Sequence, residues 1–282
     1  MLEYDFIRHA FMASTIVAIL AGAVGYFLVL RGQTFAGHAL AHVGFTGATG
    51  ALLIGFPPLA GLVVASVAAG AGMGAMGEKS AQRDVAIGLV LSLALGIGLL
   101  FLHFMTTSAT QATALLFGNV LAVSVETIKV LFVLAILSLA LLAIISRPLL
   151  FASLQPELAE AKGLRPRLYS IVFLVITALA TAESVQIVGV LLVFALMVGP
   201  AATALRLSNN VLRGIVLSMV IALVEAWLGI TLAFYTDWPT TFWIAALSTG
   251  FYCAAYLAGW VRLRLPMTPV STPLLIGALD EH

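Results

Sequence analysis

The run Val130-Leu-Phe-Val-Leu-Ala-Ile-Leu-Ser-Leu-Ala-Leu-Leu-Ala-Ile-Ile145 contains one hydroxyl and no charge, and Glu126, Lys129 and Arg147 stand at its two ends. An α-helix needs about 20 mainly apolar residues to cross the hydrocarbon core of a bilayer. Within lipid each segment must also satisfy its own backbone hydrogen bonds. The stretch 126–146 therefore reads as a membrane-crossing helix. Outward from it the same pattern repeats, with further spans expected near 11–30, 37–54, 59–76, 85–103, 169–182, 187–205, 214–235 and 241–260. The sixth run is short and stops at Glu183, so it is expected to be a half-span that forms a re-entrant unit with the seventh. An amphipathic piece over 112–122 is too short to cross and is expected to dip into the outer face, with Asn119 in a structural role.

These spans predict an all-α integral membrane protein, a polytopic bundle of eight or nine transmembrane helices. Apolar residues make up 62% of the chain and charged residues 9%, with mean hydropathy +1.14, against about 25% charged in soluble domains. Little is left over for a soluble enzymatic or nucleotide-binding module. Residues 1–265 read as one transmembrane domain, and 266–282 as an inner tail that is partly disordered. A net charge of +1 gives no electrostatic basis for nucleic-acid binding. The single cysteine, Cys253, sits in an apolar run and reads as a packing residue. The start Met1-Leu2-Glu3-Tyr4-Asp5 has no basic region of the kind a cleaved signal carries, so the first run is expected to stay as a helix.

The basic residues set the orientation, because cytoplasmic loops are enriched in Lys and Arg. Nine alternating spans with the 147–168 loop inside place all of the 13 Lys and Arg on that side except Arg8 and Lys129. The C-terminus is then cytoplasmic and, by parity, the N-terminus lies outside.

The segment Arg31-Gly-Gln-Thr-Phe-Ala-Gly-His-Ala-Leu-Ala-His-Val-Gly44 puts His38 and His42 at i and i+4, on one helix face with Cβ atoms about 5–6 Å apart. Two imidazoles so placed can hold one metal ion at Zn–N distances of about 2.0–2.1 Å, and ionisable residues inside spans mark functional sites. Gly37, Gly44, Gly47 and Gly50, with Ala39, Ala41 and Ala48, give the helix a thin surface that lets another helix approach. On this reading it lies against its twin in a two-fold dimer, and four imidazoles converge. His38-Ala-Leu-Ala-His42 lacks the glutamate of a zinc-protease helix. Gly72-Met-Gly-Ala-Met-Gly-Glu-Lys-Ser80 imitates a phosphate-binding loop, but Glu78 interrupts it and no strand precedes it. In the loop Gln155-Pro-Glu-Leu-Ala-Glu-Ala-Lys-Gly-Leu164, Pro156 suits a helix start and Gly163 a left-handed stop. A short inner helix there serves equally for docking a partner or for resting on lipid headgroups.

These segments resemble the zinc/manganese-type permeases of ATP-binding-cassette metal importers over roughly 11–260. Family members carry Arg-x-x-Ser-x-x-Gly-Asp-x-x-x-His after the first span, here Arg31 to His42. Leu116-Phe-Gly-Asn-Val-Leu-Ala-Val123, Gln155 to Gly163, Val188-Gly-Val-Leu-Leu-Val193 with Pro200-Ala-Ala-Thr-Ala204, and Tyr235-Thr-Asp-Trp-Pro239 follow in the family's order. The resemblance implies a homodimer in the bacterial or archaeal cytoplasmic (inner) membrane, surrounded by lipid. It also implies separate ATPase subunits docking on Gln155, Pro156, Glu157, Ala159 and Gly163, and an extracytoplasmic protein delivering metal. No cofactor is held permanently and no covalent chemistry is expected. His38 and His42 would hold the ion in transit. His38 replaces the family's usual aspartate and Gln155 another. Exchanging a hard oxygen for an imidazole favours zinc over manganese, so Zn2+ is the expected cargo, with manganese or iron as alternatives. His103, Glu183 and Glu225 are candidate pathway residues, and Asp237 is expected to shape an outer docking surface. The rival class is an ion-coupled secondary transporter using Glu183 and Glu225 as relay groups.

Overall fold

The structure, a computed structural model, describes residues 4–76, 80–105, 114–118, 120 and 123–264. The 266–282 tail, Asn119, and Glu78 and Lys79 of the glycine-rich segment lie outside the described residues. Helices occupy Asp5–Leu30 (α1), Thr34–Leu53 (α2), Pro58–Ala75 (α3), Ser80–Phe104 (α4), Val125–Leu154 (α5), Pro156–Ala161 (α6), Pro166–Val188 (α7), Val193–Leu207 (α8), Val211–Thr236 (α9) and Thr240–Arg264 (α10). Seven of them are long and apolar enough to cross a membrane unaided. With α2 and α8 they occupy all nine runs read from the sequence. Short turns at 31–33, 54–57, 208–210 and 237–239 alternate the helix directions. Arg31, Lys162, Arg165, Arg167, Arg206 and Arg213 thus gather at one end of the bundle, the basic end.

α1 and α7 form the centre, each with 72% of its span buried, whereas α4 and α10 are peripheral at 17%. In lipid, helices are drawn together by close packing and interhelical hydrogen bonds, not by hydrophobicity. A Cβ on Gly22 would stand 2.7 Å from Met219 Cα, and one on Gly74 2.5 Å from Ile171 Cα, so these glycines set the α1–α9 and α3–α7 approaches. Ser218 Oγ donates to the Gly22 carbonyl at 2.7 Å, and Ser66 Oγ to that of Leu40 at 3.2 Å. Large apolar side chains point outward instead, such as Phe132, Val133 and Ile144 on α5, the surface expected against acyl chains.

One expectation is corrected. The sixth span is not a half-span: α7 runs through Glu183 to Val188 and is 23 residues long. The short element is the seventh, α8, whose 15 residues reach about 22 Å against a core of about 30 Å. Glu183 is a poor boundary marker, because Ser184-Val-Gln-Ile-Val188 carries the helix on.

The chain breaks at Gly189 (φ 80°, ψ 164°), and residues 114–118 meet the break. Val190 N–H donates to the Leu115 carbonyl and Leu191 N–H to that of Leu116, both at 3.2 Å. Gly118 also has positive φ, 77°, and a side chain on either glycine would overlap the other segment's backbone. Two motifs over seventy residues apart are thus one structure. Irregular backbone at membrane depth is tolerated because protein supplies its hydrogen-bond partners.

Candidate metal pathway

The α1–α2 turn delivers the histidines. Gly32 takes φ 64°, and the buried Gln33 precedes Thr34, the first residue of α2. Arg31 is anchored across the bundle, donating to the Leu149 carbonyl at 3.4 Å and to Ser153 Oγ, with its guanidinium 5.5 Å from the Phe173 ring centre. One turn beyond His42, the Thr46 hydroxyl donates to the Ala94 carbonyl of α4, fixing the far side of α2.

Between these anchors the His38 and His42 rings stand edge to face, 4.8 Å between centroids. His42 is buried and its Nδ1 has no hydrogen-bond partner. His38 is half-buried, with its ring 5.6 Å from Phe194 at the start of α8. A buried polar nitrogen without a hydrogen-bond partner is uncommon in a settled core, and an imidazole nitrogen is chemically able to bind a metal. Among the described residues no three His, Cys, Asp or Glu side chains come together.

The thin surface of α2 is used differently from the expectation. Gly47 abuts the Gly61 carbonyl of α3, Gly44 meets Ser66 and Leu62, Gly37 meets Leu28 of α1, and Gly50 meets Phe101 of α4. The small residues serve packing within the chain, so they do not argue for a twin helix on that surface.

Glu183 and Glu225 are fully buried, and none of their four carboxylate oxygens has a hydrogen-bond partner. Ser248 is the polar neighbour of Glu225, yet its hydroxyl donates to the Ala195 carbonyl at 3.1 Å. Neither acid joins the histidine pair. His103 is exposed, and its ring stands edge to face with Phe104 at 5.7 Å between centroids. Packing of Gly50 on Phe101 puts it roughly 15 Å along the helix axis from His42. The short helix α6 forms as the sequence predicts. Pro156 is at its first position, Ala159 is buried, and Gly163 at φ 79° ends it, with Leu164 N–H donating to the Ala159 carbonyl at 3.0 Å. Sequence reasoning missed Phe194 beside His38 and the Arg31–Ser153 tie. The first follows the Val188–Val193 motif directly, but its approach to α2 is purely tertiary.

Residues 3–259 match the ABC 3 transport family. The chain belongs to that family. It is 31% identical over 258 residues, 91% of this chain and 92% of the relative, to the manganese transport system membrane protein MntC of Listeria innocua. Identity is 28% over 264 residues, 93% and 97% of the two chains, with a probable iron transport system membrane protein of Haemophilus influenzae. PsaBC from Streptococcus pneumoniae, solved in complex with a Fab, superposes with TM-score 0.81 at 27% identity over 90% of this chain and 92% of that one. A putative metal-chelate type ABC transporter in an inward-facing conformation shares the fold at TM-score 0.66 and 18% identity, over 88% and 85%.

The family chain is thus a multi-pass inner-membrane permease of an ATP-binding-cassette importer for a divalent metal. It is a transport subunit and not an enzyme, ATP hydrolysis residing on a separate polypeptide. Permeases of this kind work as homodimers beside those ATPase subunits. Membership in this family sets aside the ion-coupled secondary transporter.

Proposed function

We propose that this permease carries zinc, and that His38 and His42 of two protomers hold the ion in transit. The observation that carries the reading is the paired, partly buried imidazoles with His42 Nδ1 left unpartnered. Two such pairs meeting at a dimer axis would make a four-nitrogen shell, the tetrahedral, imidazole-rich kind that suits zinc, where carboxylate oxygens suit manganese. The basic end faces the cytoplasm, with the C-terminus, by the charge asymmetry of the loops. A metal-binding protein docks at the opposite face, where Asp237 shapes the turn, and releases the ion inward. ATPase subunits grip α6 and its flanks, Gln155, Pro156, Glu157, Ala159 and Gly163, and drive the dimer between outward- and inward-open states. Glu183 and Glu225 serve as packing residues on this reading, since each is fully buried and, among the described residues, neither clusters with the pair.

The second reading keeps the machine and changes the cargo to manganese or iron, because similar relatives are named for those metals. Accumulation of zinc, manganese and iron in cells expressing the permease with its partner subunits, under chelation, separates the two. Zinc alone should rise, and the double variant His38→Ala/His42→Ala at matched membrane expression should abolish the rise. A rise in manganese or iron instead makes the second reading correct. Zinc accumulation undiminished in the double variant reduces the histidine pair to packing.

A further inference from the structure

We propose that a cavity at the end of the bundle opposite the basic one, with Asp237 on its wall, receives an arginine side chain of the extracytoplasmic protein that delivers the metal. The partner rests on the docking face proposed above, whereas the chemistry of the cavity does not. The cavity measures about 650 Å3 and lies between the start of α1 and the α9–α10 turn. Phe6 of α1, Phe234 of α9 and Trp238 of the turn give it aromatic walls. Among the described residues Asp237 is the one charged side chain on its lining.

Local structure accounts for the shape of Asp237 but not for its charge. At φ 57° and ψ 19° it ends α9 in the left-handed region, the one non-glycine residue with positive φ among the described residues. Asparagine fits such a position without a charge, and a carboxylate is disfavoured at the negative end of a helix dipole. The last turn of α9 adds to the negative potential. Asp237 N–H donates to the Ala233 carbonyl at 3.0 Å, Trp238 N–H to Thr236 Oγ1 at 3.4 Å, and Pro239 has no N–H. Among the described residues the carbonyls of Phe234, Tyr235 and Thr236 are thus left without a backbone donor. Arg8, a cation at the same end, is taken by Asp5 at 3.4 Å, and no described cation pairs with Asp237. The cavity is complementary to a positive charge.

The rings decide which cation fits. A divalent metal needs several oxygen or nitrogen donors, and one carboxylate is too few. Aromatic faces suit an organic cation, and a guanidinium combines stacking on a ring with a two-pronged bond to a carboxylate. The walls are set in advance. Trp238 stacks on Trp243 with 5.7 Å between centroids, Trp243 Nε1 donates to Thr236 Oγ1 at 2.9 Å, and that hydroxyl donates to the Leu232 carbonyl at 2.7 Å. Phe6, Phe234 and Trp238 are nevertheless 40–55% exposed. A belt of interfacial aromatics beside lipid headgroups accounts for the rings, but not for an acid at a helix end that repels it. Residues 237–239 form the turn beyond the ends of α9 and α10, the part of the bundle that a protein arriving from outside meets first.

The test uses the purified permease with its ATPase partner in phosphatidylglycerol nanodiscs containing a minor fraction of phosphatidylethanolamine. Its metal-binding protein is added in solution, and affinity is read by biolayer interferometry at several salt concentrations. Wild type should bind, more weakly as salt rises. Asp237→Asn, which keeps the left-handed cap, should lower the affinity roughly tenfold, as expected when one side of a desolvated charge pair is lost, and should flatten the salt dependence. Trp238→Leu should lower it about threefold. Glu126→Gln, exposed in the first turn of α5 at the same end, should leave it unchanged. N-acetylarginine amide should compete with the delivery protein on wild type, whereas N-acetylcitrulline amide at equal ionic strength should not. Equal affinity and salt dependence in Asp237→Asn and wild type would overturn the proposal while leaving docking at this face intact. Absence of binding to wild type would overturn both. Unchanged affinity together with loss of retained phosphatidylethanolamine from Asp237→Asn, by native mass spectrometry, would assign the cavity to a lipid headgroup instead. The identity of the metal does not enter this readout, so failure of the zinc reading is told apart from failure of the arginine site.

Discussion

Replacing Gly189 by alanine tests the joint between the 114–118 segment and the α7–α8 break. At φ 80° and ψ 164° the residue occupies a region that is essentially glycine's alone, which costs a side-chain-bearing residue about 1–3 kcal/mol. The new Cβ would also lie 2.5 Å from the Leu116 carbonyl oxygen and overlap the Phe117–Gly118 backbone, which is not a flexible side chain that can swing away. Relieving that overlap separates the segments and breaks the Val190–Leu115 and Leu191–Leu116 hydrogen bonds, each contributing about 0.5–1.5 kcal/mol. The sum is a loss of about 2–6 kcal/mol. Gly163 is the internal control: its φ is 79°, but a Cβ there would meet no atom within 4 Å, so Gly163→Ala should cost only the left-handed penalty of about 1–2 kcal/mol. Detergent unfolding titrations of the purified permease, followed by circular dichroism, read both. Gly189→Ala and Gly163→Ala destabilised to the same extent, or Gly189→Ala as stable as wild type, would refute the joint.

Metal binding by imidazole requires the neutral form, so zinc uptake should decline as external pH is lowered, and recover on return; ATPase activity of the complex without metal should not follow the same curve. His103→Ala should transport at the wild-type rate, because the ring is exposed and remote from the pair; radiometal uptake at matched expression checks this. Glu225→Met removes two buried, unpartnered oxygens at little change in volume and should raise stability by about 1–3 kcal/mol in the same unfolding titration, with uptake preserved. A loss of uptake in that variant would give Glu225 a part in the pathway.

Most of the architecture was legible because crossing lipid imposes a length and a composition that soluble folding does not. Each of the nine apolar runs became a helix, and Pro156 and Gly163 bounded α6 through local φ preferences alone. Glu183 misled for a related reason: in hydropathy a buried acid looks like a helix end, although the peptide around it remains helical. His38 and His42 announced themselves by spacing. What surrounds them did not, since the contacts of His38 with Phe194 and of Arg31 with Ser153 join residues over a hundred positions apart. The glycines of α2 were correctly read as a close-approach surface, but a pattern of small residues does not say which helix approaches, and here α3 meets Gly44 and Gly47 while α1 meets Gly37 and α4 meets Gly50.

The joint at Gly118 and Gly189 also orders events during synthesis. Residues 114–118 leave the ribosome long before residues 189–192, so the break between α7 and α8 reaches a membrane in which its hydrogen-bonding partner has already been made. An α7–α8 hairpin expressed alone would carry the exposed amides of Val190 and Leu191 into lipid with nothing to accept them. The first half of the chain thus acts as a template for the second, and a split permease should assemble only when the fragment containing 114–118 is present as the later one inserts.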